Sequence, residues 1–163
     1  MRSVTTALFL AAWFGFACTA GAGSKREETA SLSFHSESAD NSNPRTVFKQ
    51  QIGGRERFFS RVADFTIRDI ASFTPFRGDD GDFGLVCRLT PRATRRLGAL
   101  SNVNQGTWMI SQINGRVVDF LFIDRQIDDG TLVIWKGVTE ADLVLLDETL
   151  PRTGGAGETG KKR

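Results

Sequence analysis

The sequence predicts an α+β fold: a mostly antiparallel sheet with two helices on one face, a two-layer sandwich. Three observations carry this expectation. Asn114-Gly115 separates two apolar, β-branched and aromatic runs, Trp108 to Ile113 and Val117 to Ile123. A two-residue type I′ turn needs positive φ at both central positions, and Asn-Gly tolerates that best, so the stretch reads as a β-hairpin. Phe83, Leu85, Cys87 and Leu89 alternate with Gly84, Val86 and Arg88, the period of a half-buried strand. Two helix starts, Thr90-Pro91 and Thr139 to Asp142, flank the hairpin on either side. The resulting order is strands, helix, hairpin, strand, helix, which a sheet covered by two helices accommodates.

The elements follow in chain order. Arg2 begins a stretch whose apolar core runs from Ala7 to Ala17, and Ala20-Gly21-Ala22 has the small-residue pattern of a cleavage site. Residues 1–22 therefore read as a secretory signal peptide, and the run is too short to span a bilayer comfortably. The alternative is a lipoprotein signal with Cys18 acylated, which would anchor the product to a membrane. Gly15-Phe16-Ala17 matches it poorly, since Leu and a small residue are expected at the first two positions.

Residues 23–45 are rich in Ser, Glu, Asn and Ala, with few apolar side chains to offset ordering entropy. They read as a disordered linker, and His35, the only histidine, is expected to be solvated within it. A domain over residues 46–151 follows. Thr46 to Gln51 reads as a short ordered entry. Phe59, Ala63 and Phe65 alternate weakly and suggest a strand over Phe58 to Phe65. Ile70 to Phe76 suggests another, with Pro75 near an edge or turn. Asp80-Gly81 marks a turn before the strand at Phe83.

Thr90 is a natural N-cap, and Pro91 occupies the first helical position, where its missing N–H costs nothing. Ala93, Leu97, Leu100 and Val103 form the expected apolar stripe, while Arg92, Arg95 and Arg96 lie on other faces. Gly98 weakens the helix and suggests a close approach to the sheet. Asn104-Gln105-Gly106 ends it. After the central hairpin, Asp128-Asp129-Gly130 turns the chain into a strand, Thr131 to Trp135. Thr139 and Asp142 form a capping box with Asp in the usual Glu or Gln position. Ala141, Val144, Leu145 and Leu146 are expected to supply an apolar face, and Pro151 stops the helix. Residues 152–163, Gly-rich and ending in Lys-Lys-Arg, read as a flexible tail.

From about Thr66 to Leu150 these residues resemble the periplasmic head, the first soluble domain, of SecD, the accessory subunit of the Sec protein-export machinery. The strand Phe83 to Leu89 with its Thr90-Pro91 cap, the hairpin Trp108 to Val118, Ile127 with Gly130, and Gly137-Val138-Thr139-Glu140-Ala141 carry the resemblance. Asp119-Phe120-Leu121-Phe122 lacks the proline that the family usually places after the hairpin turn. The resemblance implies a fold and an extracytoplasmic setting. It does not extend to the membrane helices and proton path with which SecD drives export, so it carries no translocase activity to this chain.

The chemistry-bearing residues point away from a reaction centre. A formal charge of +2 does not suit a nucleic-acid binder. Cys87, alone once Cys18 is removed, reads as a small buried hydrophobe. Asp79, Asp80 and Asp82, and Asp124 with Asp128 and Asp129, do not match the spacing of an EF-hand loop and read as turn residues. Arg92, Arg95, Arg96 and Arg125 read as solvated charges rather than an anion-binding patch. With one histidine placed in a linker, a Ser-His-Asp triad is implausible. No catalytic residue, cofactor or metal site is expected. The function expected is that of an exported, non-enzymatic protein- or peptide-binding module of the cell envelope, acting through a sheet edge or an uncovered face. The alternatives are an extracytoplasmic hydrolase using Asp79, Asp80 and Asp129, or a structural piece of an envelope assembly.

Overall fold

A computed structural model describes residues 29–39, 43–78 and 81–153. The strands are β1 (Leu32–Ser36), β2 (Val47–Ile52), β3 (Arg55–Ser60), β4 (Phe65–Thr66), β5 (Ile70–Arg77), β6 (Phe83–Leu89), β7 (Trp108–Ile113), β8 (Arg116–Phe122) and β9 (Thr131–Val138). The helices are α1 (Pro91–Val103), between β6 and β7, and α2 (Glu140–Thr149), after β9. Every strand pair in the three sheets is antiparallel, in the orders β4-β1-β7-β8, β5-β6-β9 and β2-β3. The fold is α+β and mostly antiparallel, as the sequence predicts.

The hairpin takes the expected turn. Asn114 has φ 51° and Gly115 φ 77°, the positive pair of a type I′ connection. Its strand β7 is internal, with β1 on one side and β8 on the other. Alternate side chains of β7 therefore enter different cores. Met109 and Ile113 join the large core with Ala93 and Leu97 of α1 and Leu143 and Leu146 of α2. Ile110 and Trp108 join a second core with Ile52, Phe59 and Phe48 of the β2–β3 ribbon and with Val117 and Phe120. A two-layer description thus omits a layer: across β7 and β8, the ribbon covers the side away from the helices.

The ribbon corrects the sequence reading at its turn. Gly53 (φ 58°) and Gly54 (φ 76°) close a two-residue hairpin between β2 and β3, and the expected strand over Phe58 to Phe65 is divided, its first residues pairing with β2 and Phe65 with Phe34 of β1. Ser60 ends β3, and Phe65 opens the separate two-residue β4.

The larger correction lies in the segment expected to be a disordered linker. β1 falls within it and pairs with β7 over Leu32↔Ile113 to Ser36↔Met109. Leu32 and Phe34 alternate into the large core, and the polar residues between them find partners. Ser36 N–H donates to the Asp64 carboxylate at 2.7 Å. The ordered domain therefore begins upstream of residue 46. The segment 1–22, read as a signal peptide, lies outside the described residues, as do 154–163 of the tail.

Both caps form as expected. Thr90 Oγ1 accepts from Ala93 N–H, and Thr139 and Asp142 make a reciprocal capping box. Gly98 departs from expectation: a Cβ there would lie 2.8 Å from Asp128 Oδ1, so it admits the 126–128 loop and not the sheet.

Candidate binding surface

The core side of the β5-β6-β9 sheet carries Phe73, Leu85, Cys87, Leu132 and Ile134, all in the large core. The opposite side follows from strand alternation and register: Phe76 lies opposite Gly84, and Val86 lies between Thr74 and Val133. These residues belong to neither core cluster, and Phe76, Val86 and Val133 are only half-buried. Trp135 stands at the end of this face with 61% of its surface exposed.

Local sequence explains how an exposed tryptophan comes to be fixed. Gly84 leaves room for the Phe76 ring; a Cβ at that position would collide with the ring and approach Ile134 O to 2.7 Å. Phe76 crosses β6 and meets Trp135 edge-on, with centroids 5.9 Å apart and planes at 70°. β9 is irregular here, pairing Val138 with Phe83 and Ile134 with Leu85. The three residues Trp135, Lys136 and Gly137 are thereby set against Gly84 alone, a bulge. Charged side chains take its backbone groups. Trp135 N–H donates to Asp119 Oδ2 at 2.6 Å, Gly137 N–H donates to Asp82 Oδ2, and Arg116 Nη1 donates to Gly137 O at 2.8 Å. Gly137 has φ 83°, and a Cβ there would stand 2.8 Å from Val118 O, so glycine permits β8 and β9 to meet. Asp119, nearly buried on β8, bridges the two sheets.

A cleft beside this face is lined by Leu121, Phe122 and Val133 and by the loop carrying Asp124, Asp128 and Asp129. Asp128 Oδ1 accepts from Gln126 Nε2 at 2.7 Å, and Asp129 Oδ1 accepts from Thr131 N–H at 2.9 Å. These two carboxylates hold their own turn, as the sequence predicts. Asp79 and Asp80 lie outside the described residues. Among the described residues, no cluster of three or more His, Cys, Asp or Glu stands where it would hold a metal ion.

The other singled-out residues separate. Cys87 is fully buried, and burial pushes its thiol pKa up to about 12. Arg92, Arg95 and Arg125 are exposed. Arg96 instead pairs with Asp69 at 3.0 Å and crosses the Phe65 ring, its guanidinium carbon 4.8 Å from the centroid. Burial alone would raise the Asp69 pKa, but the Thr66 N–H bond and Arg96 hold it below the ordinary carboxylate value. His35, expected in solvent, is 6% exposed on β1. Its Nδ1 bonds Ser60 O and its Nε2 meets Ser33 Oγ, both at 2.9 Å. Burial lowers its pKa, against the raising effects of the Ser60 bond and Asp64.

The residues of the open face received no functional reading from sequence. Their signal was present: Leu132 and Ile134 define the core side of β9, so Val133 and Trp135 must point away from it.

No protein-family model matches this chain, and no curated protein matches it. Among solved structures, it is similar to SecDF, a membrane component that enhances protein export. The TM-score is 0.54 at 17% identity, covering 76% of this chain and 64% of that one. A structure of SecDF in a super-membrane-facing form matches with TM-score 0.51 and 17% identity, covering 75% of this chain and 19% of that one. The expected likeness to the SecD head is borne out as a likeness of fold. The chain spans less than two thirds of the length of either match. Among the described residues, no helix is long and apolar enough to cross a membrane.

Proposed function

We propose that this chain, with its SecD-like fold, is an exported, non-enzymatic module that binds unfolded protein or peptide segments outside the cytoplasm. The reading includes removal of residues 1–22 on export. Its binding surface is the face bearing Phe76, Val86, Val133 and Trp135. The observation that carries it is Trp135, whose large amphipathic side chain stands 61% exposed on a strand bulge fixed by the buried Asp119 carboxylate on the Trp135 backbone N–H. Tryptophan on a rigid element supplies large contact area at little ordering cost, which is why it is enriched among residues that dominate binding energy. The SecDF structures similar in fold come from a component that enhances protein export, and a face for exported polypeptide accords with that setting.

The test is binding of a permanently unfolded, carboxymethylated polypeptide, measured by calorimetry for the parent and for Trp135→Ala. With 61% of Trp135 exposed, the variant loses only the Phe76 ring contact and is expected to melt close to the parent. The reading expects at least a tenfold loss of affinity. Equal affinity in the two proteins would remove this face as the site.

A further inference from the structure

The molecule blunts most of its sheet edges. β4, at one end, has only two residues, and Asp69 takes the Thr66 N–H with its carboxylate at 2.9 Å. On β5 at the other end, the chain's own residues 151–153 cover the middle. Phe73 N–H donates to Pro151 O at 3.1 Å, and Thr153 N–H donates to Phe73 O at 2.8 Å. Two residues on, Pro75 faces the same outer side and has no N–H to offer. The outer edge of β3 is taken by Ser38 N–H on Phe58 O at 2.8 Å and by His35 Nδ1 on Ser60 O. Such covering, shortening and proline placement are how proteins prevent unwanted strand pairing.

The outer edge of β2 has none of these devices. Ile52 and Arg55 flank the two-residue turn, so they form a hydrogen-bonded pair, and the pattern alternates from there. Gln50 and Phe48 bond to β3, while Lys49 and Gln51 direct both N–H and C=O outward. Among the described residues these four groups have no partner. Both residues are exposed, and the strand contains no proline.

We propose that the outer edge of β2 is a strand-addition site for an extended acidic polypeptide segment, hydrogen-bonded to the backbone of Lys49 and Gln51. The charge of the ribbon selects this occupant. Between residues 45 and 61 stand Arg45, Lys49, Arg55, Arg57 and Arg61; Lys49 pairs with Glu56 at 3.2 Å and Arg57 with Glu37 at 2.7 Å, which leaves Arg45, Arg55 and Arg61 without an acidic partner among the described residues. A second copy would set these cations against themselves, and like charges across paired strands are destabilising. An acidic strand meets them with opposite charge, while main-chain bonds supply the affinity of this recognition mode. This site is separate from the Trp135 face and stands without it.

The experiment uses the full chain with three capped nonapeptides: alternating Glu and Val, alternating Lys and Val, and the Glu–Val peptide N-methylated at alternate residues. Calorimetry gives affinity, and amide hydrogen exchange gives location. The proposal expects the Glu–Val peptide alone to bind, with protection of the Lys49 and Gln51 amides rising at least tenfold. Gln51→Pro removes an outward N–H that β3 does not use, and it is expected to weaken binding at least tenfold. If that variant misfolds, the N-methylated peptide supplies the same test on the parent. Unchanged amides at Lys49 and Gln51 would overturn the proposal. So would binding lost in Trp135→Ala but kept in Gln51→Pro, or a dimer of this chain paired through β2.

Discussion

Asn114 Nδ2 donates to Asp142 Oδ1 at 3.1 Å, joining the turn of the central hairpin to the cap of α2. Arg116, just past the turn, donates to Asp142 Oδ2 at 2.7 Å, and Asn114 Oδ1 accepts from Ser31 N–H at 3.0 Å. One turn residue thus touches the N-terminal approach to β1, the β7–β8 connection and the last helix.

Substitutions in this turn separate backbone from side-chain effects. Gly115, at φ 77° with open space around its missing Cβ, tolerates a side chain sterically but not conformationally. Gly115→Val is expected to destabilise by roughly 1–3 kcal/mol, the cost of a β-branched residue at positive φ. From sequence, Asn114→Gly should cost much less. The structure changes that expectation, because glycine keeps the turn and the backbone bond to Ser31 O but loses the side-chain bonds to Asp142 and to Ser31 N–H. Its cost is expected to be about 1–2 kcal/mol, one or two net hydrogen bonds. Chemical denaturation of both variants reads the difference.

Asp142 combines the capping box with the Arg116 ion pair, and its side chain is 9% exposed against 48% for Arg116. Asp142→Ala is expected to cost about 2 kcal/mol, a lost cap together with a charge-assisted bond. Asp142→Asn removes the charge while keeping the shape and is expected to cost less. Thermal unfolding of the two checks the order.

His35 gives the fold a pH dependence of known sign. Burial holds its folded pKa below the ordinary value of 6.5, so above that pH the neutral ring costs nothing extra on folding. As the pH falls below 6.5, the unfolded chain takes up the proton first, and stability declines until the folded pKa is passed. The stability difference between parent and His35→Gln, measured from pH 7.5 to 5, should therefore shrink on acidification. A difference independent of pH would show that the ring is not buried as neutral imidazole.

Cys87 is expected to resist a thiol reagent in the native state, since the reactive thiolate is suppressed by burial and access is closed. Modification should track global unfolding in a denaturant series.

What the sequence made legible is what local chemistry dictates. Asn114-Gly115, the Thr90-Pro91 cap and the Thr139–Asp142 box each act within a few residues, and each forms as expected. β1 was illegible because its stability is borrowed from distant groups: Ser36 depends on Asp64, and His35 depends on Ser60. Counted alone, Ser33, His35 and Ser36 look too polar for an internal strand. The candidate face was half legible. Alternation places Trp135 outward, but only the register across Gly84 brings Phe76 against it.

The claim that the Trp135 face receives exported polypeptide is tested most directly by photocrosslinking during export. A photoreactive residue is placed at Trp135, and in a parallel protein at Val144, which is 60% exposed on α2. With a polypeptide arrested in export, adducts to that polypeptide are expected from position 135 and not from 144. Adducts of equal yield from both positions, or none from 135, would contradict the account.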